Sequence, residues 1–409
     1  MVTIALPSQR PAFLDILSIQ RFRLLWLSNG LSFMGMRIQD MAVAWLVLEM
    51  TDSNLWVGVV NGLPALSIVI FSLLGGILAD RTDRRRLLSW SRLTLAGLTF
   101  LVAFLITSGA ISLWQLIIVV FVATGVYAAD MPISRTLIFD YVGRKRLLSA
   151  TSLNSMLMDL GAVGGPWVAG MLLANVGADA ALYLLSATYS VAFAVLFFGK
   201  SSTRAPRGNR KKVIRDLVEG FSYLRRTPSV AWLVSLGATI PMGGVFFSMM
   251  PVYAKDVLGV GAAGLGIMVA VYGGGALVAS IVMTAQGGLN HVGRAIVLSA
   301  VVFAAGMLGF AFAPGFQMAI ASVFVMGMAS TYWKNTAGAI VQMSSAEEMR
   351  GRVMSIFGMG AQMLALGWLI GGTLSTLIGN QGTLIVAAGF MIGLNVVVYS
   401  RAEVMRRAI

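Results

Sequence analysis

The chain has 409 residues, 58% of them hydrophobic and only 11% Asp, Glu, Lys or Arg, with a formal net charge of +14. A soluble domain carries about 45–50% apolar residues, so this excess excludes a set of ordinary soluble domains and fits about a dozen membrane spans of roughly 20 residues each. The absence of cysteine excludes disulfides, thiol catalysis and Cys-based metal sites, and in a multi-span chain the basic excess reads as cytoplasmic loops rather than a nucleic-acid surface.

At the N-terminus, Arg10, Arg21 and Arg23 precede the apolar stretch Leu24–Met36, and "AVA" follows at 42–44. That arrangement imitates a signal peptide. The apolar stretch continues to Leu48, long enough to span, and cleavage would leave an odd number of helices, so an uncleaved first span is expected. The predicted spans are 24–48, 55–79, 87–108, 112–135, 149–174, 178–199, 229–253, 261–284, 295–313, 316–339, 354–378 and 381–400. Backbone amides in lipid must be satisfied within their own segment, so these are expected to be helices; nothing alternates as membrane-barrel strands do.

Positive charge alternates from connection to connection. The N-terminal segment, every even-numbered connection and the tail carry Arg or Lys, including Arg84, Arg85, Arg86, Arg144, Lys145, Arg146, Arg294, Arg350 and Arg352, whereas the odd-numbered connections hold only Lys255. Both termini are therefore expected in the cytoplasm, with the chain in the inner membrane. The segment 200–228 divides the chain into an N-terminal six-helix bundle, 1–199, and a C-terminal one, 229–409. Its second part, "VIRDLVEGFSYLRR", places Val213, Ile214, Leu217, Val218, Phe221 and Leu224 on one face, as an amphipathic helix on the inner membrane surface would.

The halves echo each other. "GPWVAG" at 165–170 and "GWLIGG" at 367–372 lie 202 residues apart, each on the fifth helix of its half. Parallel repeats of this kind predict two pseudo-symmetric bundles rocking about a central cavity.

The turn after the second helix holds a dense charge cluster. Six of the seven residues from Asp80 to Arg86 are charged. Positive-inside bias explains the arginines but not Asp80 and Asp83. "GGILADRTDRRR" resembles the loop signature of the major facilitator superfamily, matched by Gly76, Asp80, Arg81, Arg84 and Arg85, with Asp83 where the general pattern has glycine. That substitution, with "FRLLWLSNGLSFMG" at 22–35, "LEMTDSNLWVGVV" at 48–60 and "MPISRTLIFDYVGRKRLLSATSLNS" at 131–155, resembles the drug and siderophore exporter branch of macrolide and enterobactin exporters. The resemblance implies an all-α membrane protein of twelve transmembrane helices in two bundles, and a gating role for the loop, with Asp80 as a latch. On the fifth helix Gly161, Gly165, Pro166 and Gly170 resemble the glycine-proline motif of antiporter-type exporters; Ala169 replaces a second glycine, and Phe121 and Thr124-Gly125 stand where many exporters carry an arginine and a glutamine-glycine pair.

Charges at hydrocarbon depth are costly and read as functional. Arg37 and Asp40 lie three apart on one face of the first helix, Asp130 and Arg135 on the fourth, Asp159 on the fifth. A carboxylate in a low-dielectric cleft beside a cation can take and release a proton as the cleft changes. Asp40 is the first candidate proton carrier, with Arg37 as its modulator, then Asp159 and Asp130. A purely structural alternative pairs Arg37 with Asp40 and Asp130 with Arg135. Lys334, with Trp333 and Asn335, and Asn154 are the candidates for the substrate cavity.

"GVGAAG" at 259–264 fits a dinucleotide fingerprint only literally, because no strand precedes it. His291, the single histidine, falls in an inner loop. No metal site, cofactor or catalytic motif is expected. The expected function is export of a small amphipathic compound, a drug or siderophore-like molecule, in exchange for protons, by a monomer in the lipid bilayer with no nucleic-acid partner. A metabolite importer or lysophospholipid flippase, and a non-transporting receptor or scaffold, are the alternatives.

Overall fold

The computed structural model describes residues 12–68, 70–71, 82–198, 211–286 and 292–402, and every regular element among them is helical. A short helix, α1 (Ala12–Leu17), precedes α2 (Gln20–Thr51) and α3 (Asn54–Ile68). Then come α4 (Arg84–Thr107), α5 (Leu113–Gly143), α6 (Ser149–Asn175) and α7 (Ala178–Phe197). After α8 (Lys211–Arg226) the second half holds α9 (Pro228–Val257), α10 (Gly261–Gln286), α11 (Val292–Ala311), α12 (Phe316–Ser344), α13 (Arg350–Gln362) and α14 (Leu364–Arg401).

Nine helices among the described residues are long and apolar enough to cross a bilayer. One of them, Arg350–Arg401, turns back at Gly379, whose φ of 74° suits glycine, and so supplies two spans. The 29-residue α12 and the second helix, described as far as Ile68 and at 70–71, complete the twelve. The helices overrun the predicted spans at their ends. The fourth was expected to stop at 135, but α5 continues to a turn at Gly143 (φ 70°). Polar caps set several starts: Ser112 and Gln115 form a reciprocal capping box.

Within the first bundle α2 packs on α6 and α7, and α4 on α7; within the second α9 packs on α14, and α12 on α10 and α11. Two seams join the bundles, α6 against α10 and α3 against α14. Both depend on glycine. A Cβ on Gly170 would fall 2.8 Å from the Gly266 Cα, and one on Gly58 2.9 Å from the Gly372 Cα. Backbones come this close only where side chains are absent.

One end of the molecule carries Arg21, Arg23, Arg84–Arg86, Arg146, Arg225, Arg226, Arg294, Arg350, Arg352 and Arg401; the opposite end is the far end. The glycine crossings lie toward the far end. Two polar contacts also link the bundles there: Lys255 Nζ donates to Asp52 Oδ1 at 2.6 Å, and Asn54 Nδ2 to Asn380 Oδ1 at 2.7 Å. Asp52 is the one non-glycine residue at positive φ (48°) among those described, closing α2 in a left-handed cap. The amphipathic α8 is present, and it docks on the second bundle. Glu219 pairs with Arg352 at 2.9 Å, and Gly220 lies against Ile356.

Candidate functional site

Between the bundles lies a cavity of about 320 Å³, within the size range of small-molecule sites. From the first bundle come Arg37, Gln39 and Asp40 of α2, Asn61 of α3, Thr124 and Tyr127 of α5 and Tyr189 of α7. From the second come Phe247, Met250, Pro251, Leu265, Val269, Leu364, Ala365 and Trp368. One wall thus holds every charge and hydroxyl, and the other is apolar. Phe247 and Trp368 stack with rings 6.5 Å apart and 13° from parallel, and Tyr272 meets Phe247 edge-on at 5.0 Å. The result is a flat aromatic face opposite an ion pair.

Arg37 Nη1 and Asp40 Oδ2 are 3.2 Å apart, with side chains 41% and 55% accessible. These groups lie midway along a helix apolar enough to span a bilayer and are still reachable, because the cavity exposes them. Gly165 secures the arrangement: a Cβ there would stand 2.6 Å from the Arg37 Cβ. Gly161 similarly lies against the backbone of Phe33 and Met34. The glycine-proline motif therefore divides its work. Gly161 and Gly165 lay α6 on α2 beneath the ion pair, Pro166 lines the cavity, and Gly170 forms the seam with α10.

Asp130 does not pair with Arg135. Its Oδ2 accepts from Arg92 Nη1 of α4 at 2.6 Å, both side chains being 3% accessible, and Arg135 is exposed. Five residues along a helix turn about 140° away, so Asp130 and Arg135 face different neighbours. Arg92 was missing from the sequence-based candidates, because a lone arginine early in an apolar helix looks like a topogenic charge.

Asp159 lies off the central cavity, in a more open depression lined by Thr151, Ser152, Ser155, Met156, Leu160 and Leu277. The residues named for the substrate cavity do not line it. Trp333 is buried and donates its indole N–H to Asn395 at 2.9 Å. Lys334 is exposed, and Asn335, also exposed, reaches Met283. Consecutive helical residues point about 100° apart, so this trio cannot share one face. Asn154 belongs to a polar cluster inside the first bundle, where Asn29 Nδ2 donates to its Oδ1 at 2.9 Å and to Ser134 Oγ at 2.7 Å.

Of the charged turn, Gly76, Asp80 and Arg81 lie outside the described residues. Asp83 caps α4, accepting from the backbone N–H groups of Arg85 (2.9 Å) and Arg86 (3.1 Å). Arg84 pairs with Asp140 at 3.2 Å. Arg85 Nε donates to the Leu196 carbonyl at 2.7 Å, and the guanidinium also reaches Phe197 O at the end of α7, where a cation meets the negative end of a helix dipole. These contacts all bind the first bundle to itself.

A family model described as "Transmembrane secretion effector" matches residues 13–407. The chain is 24% identical over 348 residues to the enterobactin exporter EntS of Shigella dysenteriae serotype 1 (strain Sd197), covering 82% of this chain and 80% of that protein. It is 22% identical over 373 residues to macrolide efflux protein A of Streptococcus pyogenes, covering 88% and 90%. Among solved structures, a bacterial homologue of the human lysosomal transporter Spinster, inward-facing and unoccupied, superposes with a TM-score of 0.77 at 15% identity, covering 98% of this chain and 99% of that one. The nucleoside transporter NupG gives 0.73 at 15% identity, covering 95% and 99%.

Proposed function

The chain belongs to the transmembrane secretion effector family of the major facilitator superfamily, a multi-pass membrane transporter and not an enzyme, and on that premise we propose that it exports a small amphipathic compound in exchange for protons. The observation that carries this reading is the divided cavity. A compound with a hydrogen-bonding head and a flat apolar body matches it, the head toward Arg37 and Asp40, the body on Phe247 and Trp368. A ligand polar on all sides would leave its hydroxyls unpaired on the second wall, at a penalty. Siderophore-like and macrolide-like compounds, the cargo named for the two relatives, are the first to test.

The arginine-rich end faces the cytoplasm in this reading. The far-end seams then hold the outer side shut, with the cavity loading from within. Asp40 is the proton carrier, and Arg37 competes with the proton for its charge. Substrate entry that draws Arg37 away alters the hold on the proton, and alternation of the bundles carries substrate and proton in opposite directions. The working unit is a monomer of two bundles, residues 1–199 and 229–409, joined through 200–228.

Everted membrane vesicles test the proposal. An imposed proton gradient should drive accumulation of erythromycin or a catecholate siderophore, and addition of substrate should dissipate the gradient. No gradient-dependent uptake across a panel of macrolides, siderophores and amphipathic dyes would overturn it.

A further inference from the structure

The seam between α6 and α10 changes character along its length. Toward the far end it is closed by small residues: Gly170 meets Gly266, and Gly273 lies against Ala162 and Val163. The same stripe of α6 continues toward the arginine-rich end through Asp159 and Ser155, at helical steps of three or four residues. There the two helices border a depression of about 420 Å³, lined by Thr151, Ser152, Ser155 and Asp159 of α6 and by Leu277 of α10. Asp159 lies in the first half of α6, a helix apolar enough to span a bilayer. A charge so placed is costly and calls for a partner or a water-filled recess. Asp40, Asp130 and Asp140 each pair with an arginine. Asp159 is exposed and has no hydrogen bond or ion pair among the described residues, although the chain holds 30 Lys and Arg against 16 Asp and Glu. Its charge is left open in a chain rich in cations. Its neighbours in the depression are hydroxyls, whose oxygens can turn toward a cation, and the apolar Met156, Leu160 and Leu277.

We propose that this depression binds the positively charged nitrogen of an amphipathic substrate, with Asp159 as the counter-charge and Met156, Leu160 and Leu277 receiving the apolar body. The inference rests on the export reading and deepens it by naming the substrate class, a cationic amphiphile. Pro166, which lines the central cavity, stands seven residues beyond Asp159 on the same helix, two turns or about 10 Å along its axis. The depression is therefore a first stop on the way to the cavity, and a selective one. Arginines crowd this end of the molecule and repel cations, so a cationic cargo needs a local acid to hold it. An anionic compound would meet Asp159 as a like charge.

Isothermal titration calorimetry of the full-length protein in phosphatidylcholine nanodiscs, with empty nanodiscs as the blank, tests the site. Two flat probes share a ring system and differ in charge: ethidium is permanently cationic, and its parent phenylphenanthridine is uncharged at neutral pH. Wild type should bind ethidium more tightly than the uncharged probe, and added salt should weaken ethidium alone. Asp159→Asn should weaken ethidium about tenfold and leave the uncharged probe unchanged, whereas Asp159→Glu should keep the preference. Leu277→Lys, which brings a fixed cation into the same depression, should weaken ethidium to a similar extent. Equal ethidium affinity in wild type and Asp159→Asn overturns the proposal. So does a wild type that binds no ethidium, or an Asp159→Asn variant that loses both probes together. Gradient-driven uptake of ethidium into everted vesicles, measured in parallel, separates the two readings. Ethidium binding that depends on Asp159, with no gradient-driven uptake, sinks export by proton exchange alone. Gradient-driven uptake in wild type, with ethidium affinity unchanged in Asp159→Asn, sinks this inference alone.

Discussion

Gly165 and Gly367, 202 residues apart, do the same work in the two bundles. Each lets the fifth helix of its half rest on the first, at Arg37 and Met34 in one bundle and at Pro241 and Gly244 in the other. Gly170 and Gly372 repeat the correspondence at the seams, meeting Gly266 and Gly58. The glycine crossings are thus duplicated at matching positions in the two halves. The cavity chemistry is not: Arg37, Asp40, Tyr127 and the buried Arg92–Asp130 pair all belong to the first bundle, and the second presents Phe247, Met250 and Trp368. Close backbone crossings constrain both halves equally, as the proposed rocking of two bundles on matched hinges would require. In the proposed exchange a proton site is needed only once, which leaves the other wall free to be a hydrophobic bed. The lesson is that symmetry here belongs to the backbone crossings and asymmetry to the cavity's chemistry.

The sharpest way to break this division is Asp40→Asn. It removes the ionisable group and keeps the shape. Proton-driven uptake in everted vesicles should fall at least about a hundredfold, since the proton-linked step has lost its carrier, while binding of a fluorescent substrate stays measurable. Undiminished uphill uptake would remove Asp40 from the mechanism. The opposite wall should answer differently. Trp368→Ala deletes half of the aromatic stack, and the lost apolar contact is worth about 1.5–3 kcal/mol. The half-saturating substrate concentration should rise roughly tenfold or more, with the pH dependence of transport retained. If Trp368→Ala instead abolished the pH dependence, the two walls would not be separable.

A matched pair of substitutions sharpens the scaffold side. Gly170→Leu and Gly372→Leu each drive a side chain into opposing backbone, at about 1–3 kcal/mol of overpacking. That is enough to shift the balance of closed and open far ends about tenfold. The native chain has no cysteine, so spin labels at Ser108→Cys and Phe312→Cys report without background. Both variants should lengthen the distance between these far-end positions, to a similar extent. A response from only one of them would show that the two seams are not equivalent hinges.

The sequence carried most of the architecture and part of the site. Spans are legible because lipid forces each apolar run into a helix, and the repeat at 202 residues is legible because glycine has no substitute where backbones touch. Arg37 and Asp40 were legible because two charges one turn apart inside an apolar segment leave few alternatives. Partners between helices were not. The Arg92–Asp130 pair depends on how α4 is rotated against α5, which no local spacing encodes, and the nearer cation, Arg135, faces away. Trp333 looked like a cavity aromatic, but its N–H needed an acceptor in the core and found Asn395. The local role of Asp83 in the charged turn was not legible either: its carboxylate caps α4.

The far-end ion pair should show the smallest effect, and its smallness is informative. Lys255 and Asp52 approach to 2.6 Å, but their side chains remain 32% and 78% accessible. Exposed pairs contribute about 0.2–1 kcal/mol and weaken in salt, whereas the glycine crossings exclude water and resist separation along their length. Asp52→Ala should therefore raise the open fraction by less than about fivefold, a change that adding salt to wild type should reproduce. Lys255→Ala should match it, and the double variant should add nothing to either single one. An effect as large as that of Gly170→Leu would make charge, rather than close backbone packing, the element that holds the far end shut.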